Sequence, residues 1–375
     1  MIDPEDRIRI NSQPLSRSLL AKYFFEVYDL LPQLHVHYDP SKAIVERGPR
    51  YLQLWALLAF HVFIREKVDA AIIETHNGGE YDATNIVEKP IVTAITTLGM
   101  DHIAQLGPTI ENIAWHKAGI YKPGAVALST VQEAAPAEVL KTRADERGEE
   151  ITFVGDDTRL PDEALQLKPS IQRKNASLAA AAAEAFLSRT VPFESRELAV
   201  ADVHAGVAQW SWPGRFQIME DGKRTWFLDA AHNDMSVKLA AQWFAETSES
   251  LQKGGAEVVQ ILIFSHINEL RDATQLLETL ASALRDCKAG VQHVIFTTYD
   301  GVSLRDSTNL LEDASILNET WNLHHPHSQI WHEPTIQRAV DCSRAIAKDT
   351  EETQTLVTGS QHLVGPALRI LQSEG

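Results

Sequence analysis

Carboxylate, imidazole and amine side chains occur together in the stretch from Glu74 to Gly124, in a pattern that could bind a metal ion and a nucleotide. Glu74 follows an apolar run, and a carboxylate there suits Mg²⁺, which it would share with phosphate oxygens and water. His102 comes just after the next apolar run. Lys117 stands beside a glycine turn, two residues before Gly119, where its amine can pair with phosphate oxygens or, as a carbamate, supply oxygen ligands. The stretch is a candidate half of a metal–nucleotide site.

Each of these three residues also has an ordinary structural explanation. Glu74 could cap a neighbouring loop, and a lone histidine is more often a hydrogen-bonded loop residue than a ligand. A lysine is favoured at the carboxyl end of a helix by the helix dipole. A glycine-rich loop of the type GxxxxGK[ST] or GxxGKGS, whose backbone amides hold phosphates, does not occur in these 375 residues.

A second set of polar residues lies in the carboxyl-terminal half. Arg215, in the turn WPGRFQ, offers a fork suited to phosphate or carboxylate. Asp229 and His232, in DAAHND, follow a predicted strand, and the segment TGSQHLVG places backbone amides at a predicted helix start, which suits an anion. Turn and capping roles are the alternative for each residue, so the functional interpretation depends on their joint occurrence.

Buried strands and one helix are predicted to position the first set. The runs Val68–Ile73 and Ile91–Leu98 are short, apolar and rich in β-branched residues, as in buried parallel strands. Their carboxyl ends are where open α/β sheets bind ligands. Helical spacing over Thr109–Ala118, closed by Gly119, puts Lys117 in a last helical turn. The same half has further predicted helices over 16–31, 51–66 and 175–187 and a strand over Ala125–Val131.

Regular alternation of strands and helices follows a predicted boundary near residues 206–212. The predicted strands are Thr225–Leu228, Val258–Phe264, His293–Thr297, a short one near Ile330, and Thr355–Val357. The predicted helices are Asp234–Glu246, Asp272–Leu284, Thr335–Ala347 and Leu363–Leu371. Such alternation indicates an open parallel sheet with helices on both faces. The length of 375 residues fits two α/β domains, which we place at 1–208 and 209–375.

Composition restricts the partners and the compartment. The formal net charge of −17 would repel a phosphate backbone, which disfavours nucleic acid as a partner. Cys287 and Cys342 are the only cysteines, too few for a disulfide framework or a zinc site, so a reducing compartment is expected. No secretory signal, transit peptide or membrane span is visible. We expect a cytoplasmic monomer, with a mitochondrial location left open if the amino end is incomplete.

The series of motifs in this order resembles the folylpolyglutamate synthase family, relatives of the Mur ligases, and most of all its eukaryotic members. The resemblance covers most of the chain. It is carried by RIRINSQPLS, FHVFIREKVDAAIIE, GGEYDATNIV, PIVTAITTLGMDH, LGPTIENIAWHKAGIYKPG, WPGRFQ, LDAAHN, the Arg271–Asp272 pair and VTGSQHLVG. It implies a Mur-ligase-like ATPase domain, whose glycine-rich loop would lie upstream of RIRINSQPLS, and a Rossmann-like carboxyl-terminal domain.

The resemblance also implies an activity. Members use ATP and Mg²⁺ to phosphorylate the γ-carboxylate of a folate or of its glutamate tail, and the amine of an incoming L-glutamate then attacks the acyl phosphate. Carried over by position, the resemblance implies that Glu74 and His102 are magnesium ligands and that Lys117 is the lysine carbamylated in some members. Gln172 and Asn175 would be the pair that faces the adenine or the phosphates, and Arg215 and Asp229 would contact the nucleotide. His232 would lie near the acyl phosphate and the glutamate.

Some residues depart from the family pattern. His76 and Ala230 stand where glycines are usual, His116 replaces a Glu or Gln before the lysine, and Ile171 replaces a frequent histidine. Asp82 to Asn85 do match the DATN loop of the family. Two other functions therefore stay open at this point. One is an amide ligase of the same family for a non-folate acid of specialised metabolism, and the other is a non-catalytic binding protein that keeps the fold.

Overall fold

A computed structural model describes residues 3–33, 41, 48–191, 197–252, 258–265, 273–298 and 309–373. The chain forms two compact units. The amino-terminal unit contains Asp3–Leu160 and Arg173–His204, and the carboxyl-terminal unit contains Pro161–Gln172 and Ala205–Gly375. The domains 1–208 and 209–375 stay a prediction. Most of the predicted loop between the first two helices, and the Arg271–Asp272 pair, lie outside the described residues.

The amino-terminal unit begins with a short hairpin and two helices. The hairpin pairs β1 (Arg9–Ile10) with β2 (Gln13–Pro14), and the helices are α1 (Arg17–Leu30) and α2 (Tyr51–Glu66). Both helices confirm the predicted ones. Their apolar faces meet in a core made by Ile8, Leu15, Tyr23, Val27, Leu31, Leu58 and Val62. Across the same pair of helices, the imidazole of His61 lies 2.8 Å from the carboxylate of Glu26.

A small parallel sheet follows in the same unit. Its strands are β3 (Val92–Ile95), β4 (Val126–Thr130) and β5 (Ile151–Val154), in that order. The short helix α3 (Ile103–Leu106), α4 (Ile110–Ala118) and α5 (Ala134–Asp145) lie between the strands in the chain. The helix predicted over Thr109–Ala118 is confirmed as α4, with Thr109 as its cap, and α4 packs against α5. The shared core consists of Ile95, Leu98, Ala114, Ala118, Tyr121, Ala127, Leu140 and Ala144.

The prediction of a strand over Val68–Ile73 was wrong. The segment forms no strand in the structure, and Ile72 is 98% exposed. An apolar, β-branched sequence favours extended backbone, but a strand also needs a neighbour to complete its hydrogen bonds. Of the described residues, none pairs with this segment, so its sequence preference is not realised.

The carboxyl-terminal unit contains a sheet of six strands. They are β6 (Gln217–Asp221), β7 (Arg224–Asp229), β8 (Val258–Phe264), β9 (Val291–Thr297), β10 (Gln329–Glu333) and β11 (Glu352–Thr358). The order across the sheet is β10-β9-β8-β11-β7-β6, and only β6 runs antiparallel to its neighbour. Because β11 lies between β7 and β8, the strand order reverses there, which is the ligand edge of open α/β sheets.

Helices cover both faces of this sheet, which confirms the predicted α/β fold class. The cluster around Phe227, Leu262 and Leu356 takes in α8 (Asp234–Leu251), α9 (Ala273–Asp286) and Trp321 of α10 (Asn309–Asn322). The cluster around Trp226, Ile263 and Val357 takes in α11 (Ile336–Ile346) and α12 (Gln361–Ser373). All the predicted strands and helices of this half are confirmed, with bounds that shift by a few residues.

Other elements had no prediction. They include the hairpin, β5, α5, β6 and the helix α7 (Val200–Gln209). The helix predicted over 175–187 is confirmed and is longer in the structure, where it forms α6 (Ser170–Thr190). The tract Ala83–Ile86 forms a turn of 3-10 helix. No helix within the described ranges combines the length and the apolar character that crossing a membrane would need.

Candidate functional site

Lys117 lies in the last turn of α4, as predicted, and is half-buried. Burial lowers the pKa of its ammonium below the ordinary value of a lysine, because a charged group is poorly solvated there. The negative charges of Asp101, Asp82 and Glu74 oppose this shift. The structure therefore brings Lys117 and Glu74 of the predicted site into one electrostatic environment, together with two carboxylates that the sequence interpretation did not assign to it.

Glu74 and His102 are both exposed. His102 caps α3 with a left-handed backbone, φ 52°, and its backbone N–H donates to the carboxylate of Asp101 at 2.7 Å. Within the described part of the chain, no group of three or more His, Cys, Asp or Glu side chains is arranged to hold a metal ion. A closed metal site is therefore not formed by protein groups alone in these residues.

The DATN loop is organised by Asp82. One oxygen of its carboxylate accepts the backbone N–H groups of His76 at 3.1 Å and Asn77 at 2.7 Å. The other oxygen accepts the N–H and the hydroxyl of Thr84, at 2.9 and 2.7 Å. With four donors satisfied, the Asp82 carboxylate has a structural role, and it adds negative charge near Lys117 without being available as a simple metal ligand.

The same loop packs against the carboxyl end of α4. The backbone N–H of Glu80 donates to the carbonyl of His116 at 2.7 Å, and the Asn85 side chain donates to the carbonyls of Glu80 and Gly119. A Cβ on Gly79 would lie 2.5 Å from the His116 carbonyl oxygen and 2.7 Å from that of Lys117. Only glycine permits this approach, so the loop and the lysine-bearing turn form one packed substructure.

A cleft of about 420 Å³ opens beside this loop. Arg50, His76, Asn77 and Tyr81 are among the residues that line it. Two of its polar atoms, His76 Nδ1 and Asn77 Oδ1, are buried and have no hydrogen-bond partner in the described part of the chain. Buried polar atoms without partners are unusual in folded proteins and are often completed by a ligand or by water.

The second set of residues is drawn together at the carboxyl end of β7. Asp229 is the last residue of β7 and is 2% exposed, and its carboxylate accepts the backbone N–H of Phe216 at 2.9 Å. Arg215 donates to the carbonyl of Ala230 at 3.0 Å. Burial raises the pKa of the Asp229 carboxyl to about 6, against the opposing effects of the Arg215 charge and of backbone N–H donors.

His232 lies three residues beyond Asp229, in the loop that follows β7. Its Nδ1 is 2.9 Å from the carbonyl of Ala230, so Nδ1 carries the proton and Nε2 is the acceptor in the neutral ring. Asn233 then caps α8, because its side chain accepts the backbone N–H of Ser236 at 2.9 Å. Asp229 and His232 thus follow one strand, as predicted, and the bonds from Arg215 and Phe216 bring the preceding turn, which carries Arg215, against them.

The end of β11 borders that turn. The backbone N–H of Gly359 donates to the carbonyl of Ala231 at 3.1 Å, and a Cβ on Gly359 would lie 2.6 Å from the carbonyl oxygen of Ser265. The strand ends of β7, β8 and β11 therefore converge at the point where the strand order reverses. Thr358 Oγ1 and Ser265 Oγ are buried there without a partner within the described ranges.

Gln172 and Asn175 lie one turn apart in the first part of α6, which places both on one side of the helix. Gln172 is buried and Asn175 is half-buried. Their roles stay predictions, as do those of the other six candidate residues.

The fold is shared with solved structures of one class of α/β protein. The folylpolyglutamate synthase of Mycobacterium tuberculosis, complexed with ADP and AMPPCP, superposes with a TM-score of 0.75 at 22% identity, covering 98% of this chain and 82% of that one. Escherichia coli FolC, in complex with DHPP and ADP, superposes with a TM-score of 0.71 at 22% identity, covering 100% and 80%. At such identities the likeness establishes only that the α/β fold is shared with these proteins.

Comparison with known sequences identifies the family within this class of α/β protein. Residues 215–370 match the family model described as dihydrofolate synthetase, C-terminal domain. The folylpolyglutamate synthase of Neurospora crassa is 37% identical over 395 aligned residues, which cover 99% of this chain and 73% of that protein. The probable folylpolyglutamate synthase of Schizosaccharomyces pombe is 36% identical, with 98% and 74% covered. The chain belongs to the folylpolyglutamate synthase family.

Proposed function

We propose that this protein is an ATP-dependent ligase that adds L-glutamate to a folate through an acyl phosphate. The observation that carries the proposal is the 37% identity to the Neurospora crassa folylpolyglutamate synthase over 99% of the chain. Chemical support comes from the two clusters described above. A half-buried lysine among carboxylates, and an arginine, an aspartate and a histidine gathered at a sheet switch point, both suit phosphoryl transfer.

ATP supplies the phosphoryl group that converts the carboxylate into an acyl phosphate, from which phosphate would leave when the amine attacks, and Mg²⁺ would offset the charge of the phosphates. The described residues fit a partly open magnesium site, because Mg²⁺ is commonly bound by one or two protein side chains plus phosphate oxygens and water. Glu74 and His102, both exposed, would be those side chains. Their loss should raise the Mg²⁺ concentration for half-maximal activity, with Asp69→Ala as the control, and an unchanged requirement in Glu74→Ala and His102→Ala would contradict the assignment.

Each remaining candidate residue has a distinct proposed role. Lys117 would stabilise the transferred phosphoryl group, either as the ammonium or, in its carbamate form, through the metal. Arg215 and Asp229, with Gln172 and Asn175, would bind the nucleotide. His232, whose Nε2 is the accepting nitrogen, would receive a proton from the attacking amine of glutamate.

The folate acid would bind in the cleft of about 420 Å³. Two features support this location. The cleft presents the buried acceptor Asn77 Oδ1, which a ligand with an N–H donor would satisfy, and Arg50 supplies a positive charge for an acid. The aromatic Tyr81 is 79% exposed at its edge and could cover a flat ligand.

The decisive experiment incubates the purified 375-residue chain with ATP, Mg²⁺, labelled L-glutamate and tetrahydrofolate, and separates the products by chain length. Glutamylated folate and stoichiometric ADP are expected. If another carboxylic acid were extended and folate were not, the ligase would be a family member of different specificity. If calorimetry detected no ATP binding by a folded protein, the non-catalytic alternative would replace the proposal. The similarity to folylpolyglutamate synthases favours neither alternative.

We further propose a cytoplasmic location and a monomeric state without nucleic-acid or membrane partners. The net charge of −17 supports the point on nucleic acid, because it would repel a phosphate backbone. Cell fractionation and light scattering of the purified protein test these points. Recovery in a mitochondrial or membrane fraction, or a molar mass twice that of the chain, would contradict them.

A further inference from the structure

The ion pair between Glu80 and Arg143 joins three elements of the amino-terminal unit. Arg143 belongs to α5 and is 7% exposed, and its guanidinium donates from Nη2 to Glu80 Oε2 and from Nη1 to Glu146. The guanidinium carbon also lies 4.4 Å from the centre of the Trp115 ring, and Trp115 belongs to α4. One buried cation thus contacts α4, α5 and the loop that follows Gly79.

Glu80 also bonds the end of α4 through its backbone. Its backbone N–H donates to the His116 carbonyl at 2.7 Å, and its own carbonyl accepts from Asn85, which also holds the Gly119 carbonyl at 3.0 Å. A Cβ on Gly119 would lie 2.4 Å from Glu80 Cα. The carbonyl groups of a last helical turn have no partners within the helix, so bonds of this kind decide where the turn ends and how far it frays.

Lys117 is carried by that turn. Its ammonium has no ion pair within 4.0 Å among the ion pairs of the described residues, so side-chain bonds do not hold it in place. Its position follows the backbone of the turn, where the His116 carbonyl accepts from Glu80 at 2.7 Å and from Gly119 at 3.2 Å. The shorter of these two bonds is the one that Glu80 donates.

We propose that the Glu80–Arg143 ion pair is a positioning device that fixes the last turn of α4 and thereby sets Lys117 for phosphoryl transfer. The effect on catalysis rests on the proposed function. The effect on the structure of the turn rests on the described contacts. Glu80 and Arg143 are positioning residues, since neither is placed against the substrate.

The test separates positioning from stability with three variants. Arg143→Met leaves the half-buried Glu80 carboxylate without its main partner, so both stability and activity should fall. Glu80→Gln with Arg143→Met removes the unpaired charge, so the thermal midpoint should recover most of the loss. The turn remains unanchored in this double variant, and kcat should stay at least tenfold below the wild type with KM for ATP and folate within about twofold. Arg159→Met, which removes another arginine–carboxylate cluster of the same unit, is the control.

Hydrogen–deuterium exchange provides a readout that does not need activity. Amides of residues 78–85 and 116–120 should exchange at least tenfold faster in the double variant, while those of α2 keep their protection and Arg159→Met leaves both regions unchanged. If kcat and local protection both recover together with stability, the ion pair is merely structural and the inference is wrong. If the wild type shows no turnover, the proposed function fails, and the exchange result alone then supports or overturns the positioning role.

Discussion

The carboxylate of Asp229 accepts a hydrogen bond of 2.9 Å from the backbone N–H of Phe216, and this bond ties the end of β7 to the turn that carries Arg215. The two residues belong to segments that the sequence separates by a whole hairpin. Because the carboxylate is fully buried, the bond is formed at the cost of a raised carboxyl pKa, about 6 against an ordinary 3.8.

Asp229→Asn should change how stability depends on pH. In the folded wild type the carboxyl is protonated more readily than in the unfolded chain, so its stabilising contribution is complete below about pH 3.8 and is lost as the pH rises through about 6. An asparagine keeps an acceptor for Phe216 and does not titrate. The free energy of unfolding of the variant relative to the wild type should therefore rise by up to about 3 kcal/mol between pH 4 and pH 8. Urea unfolding at several pH values measures this, and a constant difference would contradict the buried charge.

Gly79→Ala should destabilise the amino-terminal unit by about 1–3 kcal/mol, because the added Cβ meets two backbone carbonyls that cannot rotate away. Turnover should fall as well, since the displaced carbonyls belong to the turn of Lys117. Gly155→Ala is the matched control in the same unit, where a Cβ meets nothing within 4 Å. Urea unfolding followed by circular dichroism compares the two variants, and equal midpoints would refute the close approach.

Lys117→Met should lower kcat at least a hundredfold without loss of stability near neutral pH. Since burial lowers the pKa of the ammonium, charging this group costs free energy in the folded state, and an apolar side chain avoids that cost. The wild type should regain stability relative to the variant as the pH rises through the lowered lysine pKa towards the ordinary value.

The exposed lysine of α5 gives the control for this variant, as Lys141→Met should change neither kcat nor stability measurably. Thermal unfolding between pH 7 and pH 10 and steady-state kinetics provide the measurements. A full loss of stability in Lys117→Met would show that the ammonium is a structural partner instead.

Two threonines of β11 should respond in opposite ways to valine. Thr355 Oγ1 bonds Ser343 Oγ at 2.9 Å inside the core, so Thr355→Val should destabilise by about 1–2 kcal/mol. Thr358 Oγ1 is buried without a partner within the described ranges, so Thr358→Val should leave stability unchanged or raise it by about 1 kcal/mol. Denaturant midpoints decide between these outcomes. A loss in Thr358→Val as large as that in Thr355→Val would reveal a bonded water or ligand at the switch point.

Much of the carboxyl-terminal unit follows from local sequence. The strand Val258–Phe264 and the helices capped by Asn233 and Thr335 were predictable. The spacing of apolar residues and the capping residues that indicate them involve only neighbours in the chain. The place of Asp229 and His232 after a strand was predictable for the same reason, whereas the bond from Arg215 to the Ala230 carbonyl joins two segments and was not predicted.

Other features depended on partners that no local pattern specifies. Val68–Ile73 has the composition of a strand and forms none, because pairing depends on a second segment. Arg143 lies 63 positions from Glu80 in the chain, and nothing in either neighbourhood predicts their ion pair. The DATN motif was recognised in the sequence. The structural role of Asp82 became visible only in the folded chain, where four donors bond its carboxylate.

By itself, the sequence determined the family, the α/β class and the identity of the polar residues that could do chemistry. Tertiary structure alone decided which carboxylates surround Lys117, which carboxyl is buried enough to acquire a pKa of about 6, and which contacts hold the end of α4. The reason is physical. Helix and strand preferences arise from neighbours in the chain, whereas burial, charge environment and glycine-sized approaches arise from residues that meet only after the chain has folded.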